Sequence, residues 1–243
     1  MSAPTPATIW HGDGREQALQ THILTHPNAA THLRNNPQAI LAEIDTWAAA
    51  NDHCMMTIGP DCSRPVLELM QTSQPQIMAE LGGYVGYSAI LFGDELRRAG
   101  GRRYYSLEAS AEYAAVARSL VDLAGLGDFV EILVGEAADS LVELEGRLEH
   151  KQPGPIDLLL LDHDGCQYLP DFLTVERLGL LAVGSTVVAD NAWLFGAEAY
   201  AEWMATPGEP EVQGRRVKYE SRTLPYLLPD GQQDAMMIST KVL

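Results

Sequence analysis

Apolar and polar positions along this chain repeat with two different periods. Between residues 77 and 189, short apolar runs alternate with longer stretches in which apolar residues recur at helical spacing. The runs predict strands at Ile77–Leu81, Arg103–Leu107, Phe129–Val134, Ile156–Leu161 and Gly184–Ala189. The stretches between and after them predict helices at Ser88–Ala99, Ala111–Ala124, Ala137–His150, Tyr168–Leu178 and Glu198–Met204. The run at 156–161 is almost purely apolar, as expected for a strand covered on both faces. Two late strands, Arg215–Glu220 and Ala235–Lys241, flank a turn at Pro229-Asp230-Gly231. This pattern predicts an α/β fold: a mostly parallel seven-stranded sheet with a terminal antiparallel strand. Residues 1–55 read as a helical N-terminal extension, with helices at Arg15–Thr25, Asn28–Asn35 and Pro37–Asn51. Asn36 is the expected N-cap of the third, with Pro37 at its first position. A further short helix is expected at Pro65–Thr72. No Pro- or Ser-rich linker and no repeat divides the chain, so 1–243 reads as one domain.

Composition narrows the class. A chain of 243 residues suffices for one α/β domain with a full core. The net charge of −17 argues against nucleic acid or an anionic membrane as partner and leaves a small molecule. The first ten residues lack a signal-peptide pattern, and no run approaches the ~18 apolar residues of a membrane span. Three cysteines, Cys54, Cys62 and Cys166, without C-x-x-C spacing, suggest reduced thiols and a cytoplasmic protein rather than a zinc site. Oligomeric state is not legible.

The candidate chemistry gathers at the ends of the strands. Strand one runs into Glu80 and the turn Gly82-Gly83-Tyr84-Val85-Gly86-Tyr87-Ser88. Glycines let backbone approach a ligand, and the following helix offers its N-terminal N–H groups to an anion. Glu108 closes strand two, where a carboxylate can accept both ribose hydroxyl hydrogens of a nucleoside. Its alternative role is to cap the following helix. Asp162 closes strand four, and Asp190 with Asn191 closes strand five. Carboxylates at a buried sheet end need donors or a cation. Hard oxygen ligands suit Mg²⁺; the alternative is plain turn chemistry.

Several segments in register carry a resemblance. They are Glu80-Leu81-Gly82-Gly83-Tyr84-Val85-Gly86-Tyr87-Ser88, Ser106-Leu107-Glu108, Asp122-Leu123-Ala124-Gly125-Leu126, Leu161-Asp162-His163, Tyr168-Leu169-Pro170-Asp171 and Ala189-Asp190-Asn191. From about Met55 onward the chain resembles the catechol O-methyltransferases, which are class I methyltransferases with a Rossmann-like fold dependent on S-adenosylmethionine (SAM). The resemblance implies that the Ile58 backbone, Gly82, Tyr84 and Ser88 hold the methionine part of SAM. It puts the ribose on Glu108, with Glu80, Asp162 and His163 also beside the cofactor. It implies Mg²⁺ on Asp162, Asp190 and Asn191. The metal binds two vicinal acceptor oxygens and acidifies one, and the methyl group transfers in line.

The departures from the family pattern fall on the acceptor and adenine sides. The family's lysine, the general base in a motif after strand four, is here Gly165 in Asp162-His163-Asp164-Gly165. Asp164 replaces an aromatic at the adenine; Asp164 and His163 are therefore candidate catalytic groups beside Asp162. Asp164 is also a candidate acceptor for the adenine amino group. A late glutamate falls at Pro225, an adenine-contacting pair at Ala137-Ala138, and a gating tryptophan at Cys54. Reinstating lysine at Gly165 is the obvious test of the missing base. The expected activity is Mg²⁺-assisted O-methylation of a small hydroxylated aromatic or natural product. The rivals are a cyclase or pericyclase on the same scaffold, and a catalytically silent binding protein.

Overall fold

The computed structural model describes residues 11–51, 53, 55–150, 154–206, 210–228 and 231–243. The central apolar runs become strands with no water on either face. Every residue is buried in β1 (Ile77–Leu81), in β4 (Leu158–Leu161) and in β5 (Thr186–Ala189). Beside them lie β2 (Arg103–Glu108) and β3 (Val130–Val134). After β5 come a two-residue pair, β6 (Glu211–Val212) with β7 (Arg215–Arg216), and two long strands, β8 (Tyr219–Leu227) and β9 (Gln233–Lys241). The seven-stranded sheet has the order β3-β2-β1-β4-β5-β9-β8. The first five strands run parallel, and β9 is antiparallel to both neighbours.

Helices cover both faces. α1 (Arg15–Leu24), α2 (Pro37–Ala50), α3 (Pro60–Ser73), α4 (Tyr87–Arg98) and α5 (Ala111–Leu123) precede β3. One core cluster joins Leu19, Ile44, Met70, Phe92 and Leu120 of these helices to Met78 and Leu160 of the sheet. α6 (Ala137–His150), α7 (Tyr168–Arg177) and α8 (Glu198–Ala205) build a second cluster, with Leu144, Phe172 and Tyr200, on Leu159 and Val187 of the other face. Asn36 caps α2, its Oδ1 accepting from Ala39 N at 3.2 Å. Such a cap contributes about 1 kcal/mol.

Three expectations need correction. The residues expected as one strand at 215–220 form β7 and the start of β8, which runs on through Pro225 to Leu227. β8 is the sheet edge, where a proline lacking N–H is tolerated. The short helix expected from Pro65 begins at Pro60 instead, and Pro65 lies inside α3. The helix expected over 28–35 shortens to one π-helical turn, Ala29–Leu33. Cys54, Pro229 and Asp230 lie outside the described residues.

Chain order reverses beside β1, which pairs with β2 on one side and β4 on the other. In such a sheet the crevice for ligands opens at the carboxyl ends of these strands. All the acidic candidates are there.

Candidate active site

The loop after β1 is pressed against the end of β4. Gly82 has φ +98°, and a Cβ there would sit 2.1 Å from the carbonyl oxygen of Asp162. Glu108 then folds the loop over β2. Its Oε2 accepts from Tyr84 N at 2.7 Å and its Oε1 from Ser110 N at 2.8 Å. Burial raises the Glu108 pKa, and the N–H groups of Ser110, Tyr84 and Gly83 pull against that shift. Each oxygen keeps acceptor capacity for a ligand hydroxyl. Tyr84 holds φ +43°, and its hydroxyl donates to Glu16 Oε1 at 2.8 Å, tying α1 to the loop. Ile58 is buried in the same core cluster as Tyr84 and Val85.

Glu80, the penultimate residue of β1, is fully buried. Tyr104 Oη donates to its Oε2 at 2.6 Å, whereas Oε1 has no partner. Burial lifts its pKa to about 7, against the opposing pull of the Tyr104, Ser106 and Ser88 hydroxyls.

Asp162 and Asp190 sit side by side, because Leu161 and Ala189 before them are register partners of β4 and β5. Burial raises the pKa of both; the Asp190 carboxylate and then Glu80 raise Asp162 further. Asp190 Oδ1 accepts from Tyr226 Oη at 2.8 Å, and the Cys62 thiol also hydrogen-bonds Asp190. Burial and the nearby Asp190 push that thiol up to about 12, so Cys62 stays protonated at neutral pH and is no nucleophile. Asn191, at φ +48°, donates from Nδ2 to Tyr226 Oη at 3.0 Å and to Asp234 Oδ2 at 2.8 Å. Asp234 is fully buried, and its Oδ1 accepts from Trp193 N and Ala235 N. The amide hydrogens of Asn191 are thus spent, and its Oδ1 is left to accept or to ligate.

Among the described residues no group of three or more His, Cys, Asp and Glu is placed to hold a metal. The expected trio depends on an asparagine as its third ligand. Two adjacent carboxylates with an amide oxygen beside them fit a hard divalent cation.

The turn after β4 differs from the expected picture. Asp164 is exposed and its Oδ1 caps the 3-10 turn Gly165–Gln167, accepting from Cys166 N at 3.1 Å. His163 Nε2 pairs with Asp171 Oδ2 at 3.0 Å, its ring stacks on Tyr168, and its Nδ1 is buried without a partner. Gly165 is buried, and a Cβ there would lie 2.5 Å from Phe195 O and 2.9 Å from Ala197 N. The loop after β5 therefore closes the space that a side chain at 165 needs. Lysine at this position is not a clean restoration of a base, as the sequence suggested. Gly165→Lys should cost about 1–3 kcal/mol by overpacking and lower the melting temperature by several degrees in calorimetry. An unchanged melting temperature would show that the loop yields freely.

Sequence reasoning missed Tyr226 and Asp234. They face each other across the β8–β9 pairing, a contact that only the register of two late strands reveals. It took Cys62 only as a reduced thiol and did not reveal its bond to Asp190. Tyr104 and Tyr105 on β2 are fully buried, whereas Trp193, after β5, is 38 % exposed.

The geometry invites comparison with known proteins. A family model described as "Methyltransferase domain" matches residues 79–192. Bovine catechol O-methyltransferase is 32 % identical over 193 residues, covering 79 % of this chain and 67 % of that protein. "Probable O-methyltransferase" of Mycobacterium tuberculosis is 34 % identical over 194 residues, 79 % of either chain. The chain belongs to the catechol O-methyltransferase family. It is thus a SAM-dependent O-methyltransferase-like enzyme. A Bacillus cereus O-methyltransferase solved in complex with SAH shares the fold, with a TM-score of 0.62, 24 % identity, and coverage of 96 % of this chain and 98 % of that one. No helix among the described residues is long and apolar enough to cross a membrane.

Proposed function

We propose that the chain moves the methyl group of SAM onto a hydroxyl of a small hydroxylated metabolite, aromatic or natural-product in kind, within a single domain whose helical N-terminal extension is described over residues 11–51; residues 1–10 of the expected 1–55 extension lie outside the described residues. Bond by bond, the acceptor hydroxyl gives its proton to solvent, the sulfonium–methyl bond breaks as the oxygen–methyl bond forms, and S-adenosylhomocysteine leaves. The adjacent Asp162–Asp190 pair at the ends of β4 and β5 carries this reading. Asp162, Asp190 and Asn191 would hold Mg²⁺, which when bound supplies Lewis-acid activation of the acceptor oxygen. Glu108 takes the ribose hydroxyls, and Gly82, Tyr84 and Ser88, with the Ile58 backbone, border the methionine part. His163, pinned by Asp171 and Tyr168, shapes the cofactor side. Asp164 has one carboxylate oxygen beyond its capping bond to offer the adenine edge. With position 165 closed, and Tyr226 and Cys62 holding their protons, the acceptor hydroxyl must ionise readily.

Chelation tests the metal. Asp190→Asn should abolish calorimetrically measured Mg²⁺ or Mn²⁺ binding, and exhaustive chelation should stop methyl transfer. Methyl transfer that survives chelation would remove the metal from the mechanism.

Glu80 gives a pH signature. Its folded pKa near 7 lies above the ordinary 4.5, so the folded protein binds the extra proton and loses stability as pH rises from about 4.5 to 7. SAM brings positive charge to the pocket, favours the ionised carboxylate and should displace that proton. SAM affinity should therefore rise with pH up to about 7 and level off above it. Titration calorimetry at pH 6 to 7 in buffers of different ionisation heat should register the release; binding heats that do not vary with buffer would refute it.

A further inference from the structure

A groove of about 630 Å³ leads away from the acidic cluster between α3 and the edge of the sheet. That volume is in the ~300–1,000 Å³ range that takes drug-sized ligands. Its inner end is Cys62 and Tyr226, the two groups bonded to Asp190. Its walls are mixed: Pro65 and Leu69 on α3, Leu224 and Pro225 on β8, and Met236 on β9 supply the apolar part, and Thr72 adds a hydroxyl. Arg222, Leu224 and Tyr226 share one face of β8 by alternation. Tyr226 lies four residue steps along the strand from Arg222, about 13 Å at ~3.3 Å per residue. The backbone of Arg222 pairs with β9, but its exposed side chain has no hydrogen bond or ion pair among the described residues. Arg64 and Glu68 also line the groove; Glu68 is its one acidic group, and Arg64 has an interaction of its own.

We propose that this groove is the acceptor subsite, and that it selects an elongated hydroxylated molecule with a carboxylate at its far end. The reacting hydroxyl sits beside Tyr226 and the Asp162–Asp190 pair. The apolar part of the walls covers the body of the molecule. Arg222 takes the carboxylate about 13 Å away, in the planar two-point geometry that a guanidinium offers. This rests on the methyltransferase reading above and adds the substrate class to it.

The test uses a series of dihydroxyphenyl alkanoic acids of increasing chain length and their primary amides, with SAM and Mg²⁺. S-adenosylhomocysteine formation gives kcat/KM, and calorimetry gives the affinity of each acid and amide without turnover. The parent should prefer acid over amide by about 10-fold, the scale of one charge-assisted bond, at an intermediate chain length. R222M keeps the apolar stem on an exposed edge strand. It should erase the acid–amide difference while SAM still binds as in the parent. Equal affinity for acid and amide in the parent, or a preference that survives R222M, overturns the inference. Absence of turnover with the acid preference intact in calorimetry refutes only the catalytic reading.

Discussion

Plain catechol, supplied with SAM and Mg²⁺ at neutral pH, should be methylated about 10²–10⁴-fold more slowly than by a family member that carries the lysine. That range is what a positioned general base contributes. The structural reason goes beyond a missing side chain. At Gly165 the backbone of Phe195 and Ala197 lies within 2.9 Å of where a Cβ would be, so the base has no space as well as no residue. The neighbouring groups do not replace it. Cys62 and Tyr226 have pKa values pushed up by burial and by Asp190 and hold their protons. His163 commits Nε2 to Asp171. Pro225, where the family places a carboxylate for the second hydroxyl, leaves catechol poorly oriented. Initial rates of S-adenosylhomocysteine formation measure this directly. Turnover of catechol on the ordinary family scale would contradict it.

Replacing Glu108 should have the largest effect on the cofactor. Both of its oxygens accept backbone N–H groups, from Tyr84 and Ser110. Removing the carboxylate therefore strips the ribose acceptors and also orphans two donors, one of which holds the Gly-rich loop in place. Each loss is worth about 1–3 kcal/mol, so Glu108→Ala should weaken SAM binding at least ~10-fold and lower the melting temperature. Glu108→Gln is no rescue, because its amide N–H₂ would meet one of the same backbone N–H groups. Equilibrium dialysis with labelled SAM reads the affinity. Parent-like binding by either variant would remove the ribose from Glu108.

The parts of the fold written locally were legible in the sequence. The runs at 77–81 and 158–161 are apolar because the strands are covered on both faces, so their positions were read within two residues. Glu108, Asp162 and Asp190 stood out because strand ends are costly places for unpaired carboxylates. β8 was misplaced for the opposite reason. Most of its residues are exposed on an edge strand, its polar alternation is weak, and Pro225 interrupts it. Tyr226 and Asp234 reach the acidic cluster only through the β8–β9 register, and the wall at Gly165 comes from a loop thirty residues further along. Neither contact leaves a local mark in the sequence. The Gly-rich loop and the strand-end carboxylates could be located from local motifs, whereas the contacts around Gly165 and Asp190 needed the packing.

The central claim is that methyl transfer survives without a base at position 165, provided that the acceptor ionises by itself. The most direct measurement is mass spectrometry of nitrocatechol, an acidic catechol, after incubation with Mg²⁺ and SAM carrying a trideuterated methyl group. The account predicts a trideuteromethyl ether, formed faster than from catechol and lost in Asp190→Asn. Intact nitrocatechol, recovered from a protein shown to bind SAM, would contradict it.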